Sequence, residues 1–465
     1  MGPTGWRRCP PSGTLKGPAL GDSSPESELH PTDRQLVRAI GTRALAASAV
    51  NLTVGGGIFV LPGVVAAQLG SAALAAYAVC GTAMLLVMLC YAEAGSRVAS
   101  SGGASAYVEA AFGPYAGFLV ATLYWFGYAA ASDAAISLGL LGTIAVVVPA
   151  LESPPVRLAA LALLLGGLTW LNIRGVRQGA GAVEVLTLVK LVPLVALVLF
   201  GLLALRTGAP PIELPTAGAL GAASLTIFFA FSGPDAALTT GAEIADPPRT
   251  VPRAMILAML GIFALYGGLH YVAQGLLGPG LARQTAAPLA AAAGRLWGAP
   301  GHTLLLVAAV LSVFACVAGD RLATPRSLLA AARQGGLPAF FGAVHPRYRT
   351  PHVAIASFAV VIFLLAATGT FQQLIVLASA ALLVVYGATV AAAVVLRRRD
   401  VRAGGEPFRT PGGLLVPALA GAIVLWLLVQ TTWRERIGVA LLVAGASALF
   451  GLRRVRAAAV APVSG

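Results

Sequence analysis

The sequence predicts an all-α integral membrane protein of about twelve transmembrane helices. They form a five-plus-five inverted repeat with discontinuous helices 1 and 6, and two helices are appended C-terminally. Three observations carry this prediction. Hydrophobic residues fill 58% of the 465 positions and charged residues 10%, at a mean hydropathy of +0.85, too little polar cover for a soluble surface. Apolar runs of about 17 to 25 residues recur along the chain, each long enough to cross a hydrocarbon core of roughly 30 Å. Two of these runs, five spans apart, carry helix-breaking residues, and paired interruptions of this kind mark inverted-repeat membrane folds.

The spans fall near 40–68, 71–96, 114–148, 157–173, 180–205, 217–242, 254–278, 303–333, 352–369, 373–396, 413–430 and 437–452. The first holds VGGGIFVLPG at 54–63. Gly weakens a helix interior by about 1 kcal/mol relative to Ala and Pro by about 3, so Gly55, Gly56, Gly57 and Pro62 need another reason to be there. The glycines are expected to permit an unwound turn. The sixth span holds FFAFSGPDAALTTGAE, where Ser232, Gly233 and Pro234 interrupt the run and Asp235 sets a carboxylate at membrane depth. Unpaired backbone groups in lipid cost several kcal/mol each, so two such breaks are expected to face one another across a cavity. The half-helix after Gly57 offers free N–H groups and the positive end of its dipole to a carboxylate. Carbonyls released at both breaks suit an ammonium group or a cation, and a cavity with both poles fits a zwitterionic α-amino acid.

The organisation follows from these spans. Residues 1–35, rich in Gly, Pro and Ser, read as a disordered cytoplasmic tail and not a signal peptide. Residues 36–206 are the first repeat, 207–400 the second, 401–455 the eleventh and twelfth helices, and 456–465 a short cytoplasmic tail. With the N-terminus cytoplasmic, about 24 of the 31 basic residues fall inside and about six outside. The chain is therefore expected in the plasma (inner) membrane, multi-pass, with both termini cytoplasmic. Basic residues scattered over short loops account for the charge of +14 through anionic lipid headgroups and argue against a nucleic-acid partner. Cys80, Cys90 and Cys316 lie in spans and Cys9 in the tail; each reads as a small buried hydrophobe. The loops assigned outside hold no cysteine, so no disulfide-linked partner subunit is expected. No HExxH, P-loop, nucleophile elbow or CxxC pair occurs, so neither an enzyme, a metal site nor a cofactor is expected.

Several stretches together resemble the amino acid, polyamine and organocation transporter superfamily. VGGGIFVLPG resembles its first-span signature, and CYAEAGSRVASSGGASAYVEAAFG, 90–113, its second-span end and Gly-Gly loop. FFAFSGPDAALTTGAEIADPPRTVPRAM is similar to its sixth span and exit loop, and ATPRSLLAAARQGGLPAFFGAVHPRYRTP to its eighth span and following loop. The resemblance covers about 40 to 400, with the motifs in order. It implies the LeuT-like fold, alternating access and amino acid substrates. It further implies that the amides of Gly55, Gly56 and Gly57, beside Ile58, hold the substrate carboxylate. Carbonyls near Val54 and at Phe229, Ala230 and Ser232, before Gly233, would hold the amine, with Phe229 or Phe231 as a gate. Gly56 stands where members often have Ser or Ala, and Pro234 where an aromatic residue is common.

Ionisable residues at membrane depth are functional candidates by default. Lys190, in VLTLVKLVPLV, matches a fifth-span lysine that some members use where sodium-coupled relatives bind an ion; it reads as a coupling group or as a structural plug. Asp235 matches an acidic position of the family and reads as a coupling group or a helix N-cap. Asp133 is a possible pocket-lining counter-charge or a partner for a nearby donor, and Asp320 pairs locally with Arg321. Tyr124 and Tyr128 share one helical face, and Tyr124 is a possible pocket residue. Glu93, Glu243, Arg249 and Arg253 sit at helix ends as a possible inner gate or as interfacial anchors.

The reading that follows is a secondary active amino acid permease, proton-coupled or exchanging, acting on small or medium neutral amino acids. The alternative is a cationic amino acid or polyamine antiporter, for which Asp133 or Asp235 must face the cavity. A sensor built on the same fold is the alternative of another class.

Overall fold

The computed structural model describes residues 39–98, 102–174, 180–205, 215–333, 337–402 and 405–460. The predicted tail at 1–35, with Cys9, and residues 461–465 lie outside the described residues. Among the described residues the fold is helical throughout, with an isolated parallel bridge between Ile40 and Ile244.

The first span is two helices, α1 (Thr42–Thr53) and α2 (Gly57–Leu69), with residues 54–56 non-helical between them. A reversal at Gly70, φ 54°, leads into α3 (Ala73–Arg97). After the short α4 (Ala104–Phe112), the third span runs through α5 (Pro114–Thr122), a π-helical stretch Leu123–Ala129, and α6 (Ala130–Ala145). The helices α7 (Pro154–Arg174) and α8 (Ala180–Ala204) follow. The sixth span opens with α9 (Ala217–Phe231), whose cap Thr216 accepts the Ala219 N–H at 3.3 Å. Beyond Ser232 the chain turns through Gly233 at φ 113° and continues as a 3₁₀ segment, Pro234–Glu243, before α10 (Pro247–Leu277).

The helical segment α11 (Pro288–Arg333) is interrupted at Gly298, φ 70° and ψ −158°, so a short helix precedes the eighth span. The remaining helices are α12 (His352–Thr368), α13 (Phe371–Arg398), α14 (Leu415–Val429) and α15 (Trp433–Val460). A reciprocal capping box of Thr370 and Gln373 starts α13. Seven described segments are long and apolar enough to cross a membrane, and four shorter apolar helices accompany them.

The core forms where α10 packs along α3 and α1, α2 against α9 and α11, and α13 against α6, α3 and α14. Burial separates this centre from the periphery. Nearly the whole second half of α3 is buried, whereas α7 buries only the stripe Leu161, Leu165 and Leu168, spaced for one helix face. The exposed leucines of α8, α14 and α15 are at home in hydrocarbon.

One ionic cluster ties three elements together at the end of α3. Glu93, fully buried, receives Arg97 at 3.2 Å, both nitrogens of the Arg397 fork, and the Thr410 N–H and hydroxyl at 3.1 Å. Arg97 also donates to Val401 O at 3.2 Å, and Arg397 to Gly413 O at 2.6 Å. The cluster thus staples α3 and α13 to the loop that enters α14. Removing one partner of a buried pair strands the other charge, at a cost of about 3–5 kcal/mol. Glu93→Ala is expected to lower the unfolding midpoint in detergent accordingly, and thermal unfolding followed by size exclusion checks it; an unchanged midpoint contradicts the role given to Glu93.

Candidate substrate site

The two interruptions meet, as their chemistry requires. A cavity of about 200 Å³ opens between them, walled by Asn51, Leu52, Thr53, Gly55, Gly56 and Gly57 of the first span and Phe229, Ala230 and Ser232 of the sixth. Tyr128, Ser132 and Ile136 line it from the third span, Lys190 from α8, and Ala315, Cys316 and Asp320 from α11.

The three glycines are there for room, not for conformational freedom. The unwound turn expected here is present at 54–56, but none of Gly55, Gly56 and Gly57 takes a positive φ. A Cβ on Gly56 would lie 3.0 Å from Val313 and 3.2 Å from Ile136; one on Gly57 would lie 3.3 Å from the Ala230 Cα, and one on Gly55 3.3 Å from Cys316 Sγ. Gly57 therefore lets the backbones of the first and sixth spans touch. Conformational need does govern Gly233, whose φ of 113° is left-handed and whose added Cβ would meet Leu52 O at 2.8 Å.

The released backbone groups divide into those already engaged and those left open. Asn51 O receives the Lys190 ammonium at 2.6 Å, and Thr53 O receives Tyr266 Oη at 3.0 Å and the Gly55 N–H at 2.7 Å. Phe229 O takes the Ser232 hydroxyl at 2.6 Å, and Ser232 Oγ in turn accepts Tyr128 Oη at 2.9 Å. The Gly56 N–H is directed at Cys316 Sγ. Among the described residues the amides of Gly57 and Ile58, at the start of α2, have no backbone partner. Ala230 O lacks its intrahelical donor because the residue four positions on is Pro234. Open amides on one side and an open carbonyl on the other supply the two poles that a carboxylate and an ammonium need.

The remaining predicted residues are placed as follows. Val54 and Ile58 are fully buried outside the wall, and Phe231 packs behind it on Tyr266 and Tyr77, at ring distances of 5.1 and 6.5 Å. Tyr124 stacks on Tyr128 at 5.3 Å, but the wall is made by Tyr128 alone of the two. Asp235 is neither in the wall nor an N-cap: it accepts Tyr386 Oη at 2.7 Å, and Gly233 occupies the cap position. Asp133 is also outside the wall, fully buried with Arg321 Nε 3.8 Å away. No ion pair joins Glu93 or Glu243 to Arg249 or Arg253 among the described residues. Glu93 belongs to the cluster above, Arg249 lies 3.8 Å from Asp246 in the open, Arg253 is exposed, and the Glu243 carbonyl accepts the Ala39 and Ile40 N–H groups at 3.0 Å.

Sequence reasoning missed half of the wall: Asn51, Leu52 and Thr53 of α1, Ser132 and Ile136 of α6, and Ala315, Cys316 and Asp320 of α11. Cys316, read as a packed hydrophobe, faces the cavity, and Asp320, read as a local partner of Arg321, reaches it too. One signal was available: Tyr128, Ser132 and Ile136 repeat every four residues, and so do Cys316 and Asp320, as residues sharing a helix face do.

Gly56→Leu is expected to abolish substrate binding by driving a side chain between Val313 and Ile136, with insertion and monodispersity in detergent kept; retained binding contradicts the placement of the site. Gly233→Ala is expected to lower the unfolding midpoint, since the left-handed φ costs a residue with a Cβ about 1 kcal/mol even before the contact with Leu52 O.

The chain is similar to known amino acid transporters. The family model described as amino acid permease matches residues 40–444. The chain is 30% identical over 356 residues to a vacuolar cationic amino acid transporter 4 of Arabidopsis thaliana, covering 71% of this chain and 58% of that protein. It is 28% identical over 347 residues to the serine/threonine exchanger SteT of Bacillus subtilis, covering 72% and 78%. It is 27% identical over 363 residues to the human large neutral amino acids transporter small subunit 2, covering 75% and 67%. The chain thus spans little more than half the length of the plant relative. An all-helical membrane protein with broken first and sixth spans is the LeuT-like architecture that such a match implies. The chain belongs to the amino acid permease family.

Proposed function

We propose that this chain carries amino acids across a membrane by alternately exposing the cavity between α1–α2 and α9. The observation that carries the reading is the pair of open poles: the Gly57 amide in the wall, with the Ile58 amide next along α2, at one end, and Ala230 O at the other. A substrate carboxylate seats on the amides and its ammonium on the carbonyl. The side-chain pocket falls between Ile136, Phe229 and Ala315, which suits a small or medium neutral amino acid. The printed names of a serine/threonine exchanger and a large neutral amino acids transporter support the same class.

The Lys190 ammonium, on Asn51 O, occupies a carbonyl that a metal cation would otherwise take. The transport proposed is therefore sodium-independent, either proton-coupled or by exchange. Anionic headgroups are the proposed partners of the basic loops, and the Lys and Arg distribution supports the proposal that both termini lie on the cytoplasmic face of the plasma membrane.

A cationic amino acid is the second reading, because the Asp320 carboxyl lines the cavity and several relatives carry cationic amino acid transport in their names. Neither Asp133 nor Asp235 contributes to it from the wall. Proteoliposomes holding the full chain, given radiolabelled serine, threonine, leucine, arginine and lysine with and without an inward proton gradient, separate the two. Saturable uptake of neutral amino acids, unchanged when choline replaces sodium, is the expected result. Uptake confined to arginine and lysine establishes the second reading, and failure to move any amino acid in uptake or exchange favours a sensor.

A further inference from the structure

Two carboxyl groups and a guanidinium lie together just behind the cavity. Asp133, on α6, is fully buried; Arg321, on α11, is 3% exposed; and Asp320, next to Arg321, reaches the cavity wall. The Asp133 and Asp320 side chains are within hydrogen-bonding contact of one another. As carboxylates both are acceptors, and in that state neither Asp133 oxygen has a donor. The contact becomes a hydrogen bond only when one of the two carries a proton. Two adjacent carboxyls, one of them fully buried, cannot both ionise cheaply, and sharing one proton is the usual resolution.

The guanidinium completes the charge balance without filling the site. Arg321 Nε is 3.8 Å from Asp133 Oδ2, too far for a hydrogen bond, and none of its three nitrogens has a partner among the described residues. With one proton on the pair, one carboxylate faces one guanidinium and the cluster is neutral; without it, the cluster carries a net negative charge. The Glu93 cluster of the same protein is the contrast. There both carboxylate oxygens are filled with donors, as a structural staple requires. The cluster around Asp133 leaves its strongest donor and both acceptor atoms unspent.

Other titratable groups surround the pair. Tyr124 and Tyr128 face it from the third span, Cys316 lies one turn before Asp320, and Lys190 lines the same cavity from α8. Among the helices packed on α6, α13 contributes Tyr386, held by Asp235; α12 carries His352 at its first residue; and α7 carries Arg157 and Arg174 near its ends. Arg321 is thus the cation nearest the pair.

We propose that the Asp133–Asp320 pair is a proton-binding site of the carrier, distinct from Lys190, loaded and emptied through the cavity by way of Asp320. This rests on the proton-coupled form of the function proposed above. Asp320 touches the cavity and Asp133 does not, so the proton enters at the wet carboxyl and is retained between the two. With the proton aboard the cluster is neutral and can be closed off from water together with the substrate, so proton and substrate move in the same direction.

The test uses the full chain in proteoliposomes, with serine uptake driven by an inward proton gradient measured beside serine counterflow at equal pH. Asp133→Asn, which leaves the cavity wall intact, is expected to bring gradient-stimulated uptake down to about the unstimulated level while counterflow falls far less, and Asp320→Asn is expected to abolish the gradient stimulation. Asp133→Glu is expected to keep a gradient response. Infrared difference spectra of the wild type should show a protonated-carboxyl C=O stretch that changes on serine addition and is lost in both Asn variants. Undiminished stimulation in Asp320→Asn overturns the proposal and leaves proton coupling standing. Absence of stimulation in the wild type overturns proton coupling itself, and the role of the pair with it. Should Asp133→Asn fail to assemble, the wild-type spectrum decides, and a spectrum with no substrate-sensitive protonated carboxyl overturns the assignment.

Discussion

In hydrocarbon a backbone amide or carbonyl has no water to turn to, and the breaks at 54–56 and 232–233 release more of these groups than the flanking helices can take back. The surrounding structure is organised by where they go. Lys190 reaches from α8 to Asn51 O, Tyr266 from α10 to Thr53 O, and the Ser232 hydroxyl turns back on Phe229 O while receiving Tyr128 from the third span. Each of these donors fixes the position of a whole helix relative to the breaks. Left over are the Gly57 and Ile58 amides and Ala230 O, which have no backbone partner among the described residues.

The same scarcity of water sets the pattern of charge. Glu93 collects two arginines, a hydroxyl and an amide, and so behaves as an internal fastening between α3, α13 and the loop after it. Asp235 takes one phenol, from Tyr386, together with the Gly233 and its own backbone N–H groups. Asp133 and Arg321 face one another at ion-pair distance without closing a hydrogen bond. These three states of satisfaction lie within one bundle, and they separate what holds the fold from what can change its protonation.

Features that announce themselves locally could be read from the sequence. Three glycines in an apolar run, Ser-Gly-Pro in another, and a lysine far from either end of a span each violate a local preference, so Gly55, Gly56, Gly57, Ser232 and Lys190 were identified and all lie in the wall. The unwound turn at the glycines was legible, but the crowding by Val313, Ile136 and Ala230 was not, because it depends on helices distant in sequence. Asn51 and Cys316 break no local rule, and Asp320, next to Arg321 in sequence, reads as half of a local pair; they belong to the site because α1 and α11 converge there. The choice of Tyr128 over Tyr124 belongs to the π-helical stretch, which alters the angular offset between residues four apart and leaves no mark in hydrophobic spacing. Asp133 and Asp235 were legible as anomalies, but their partners Arg321 and Tyr386 lie far along the chain and could not be named in advance.

The lower part of the first span is held at both ends by the sixth. Near its start, Ile40 bridges Ile244 through the Ala245 N–H, and the Ala39 and Ile40 N–H groups close on Glu243 O. Near its end, the Gly233 backbone sits directly against Leu52 O. Two attachments about a helix length apart remove the freedom to swivel that one would leave. Mechanically, α1 and the Pro234–Glu243 segment are a single lever, so a push on either terminus of α1 is delivered to the far side of the cavity without a hinge between.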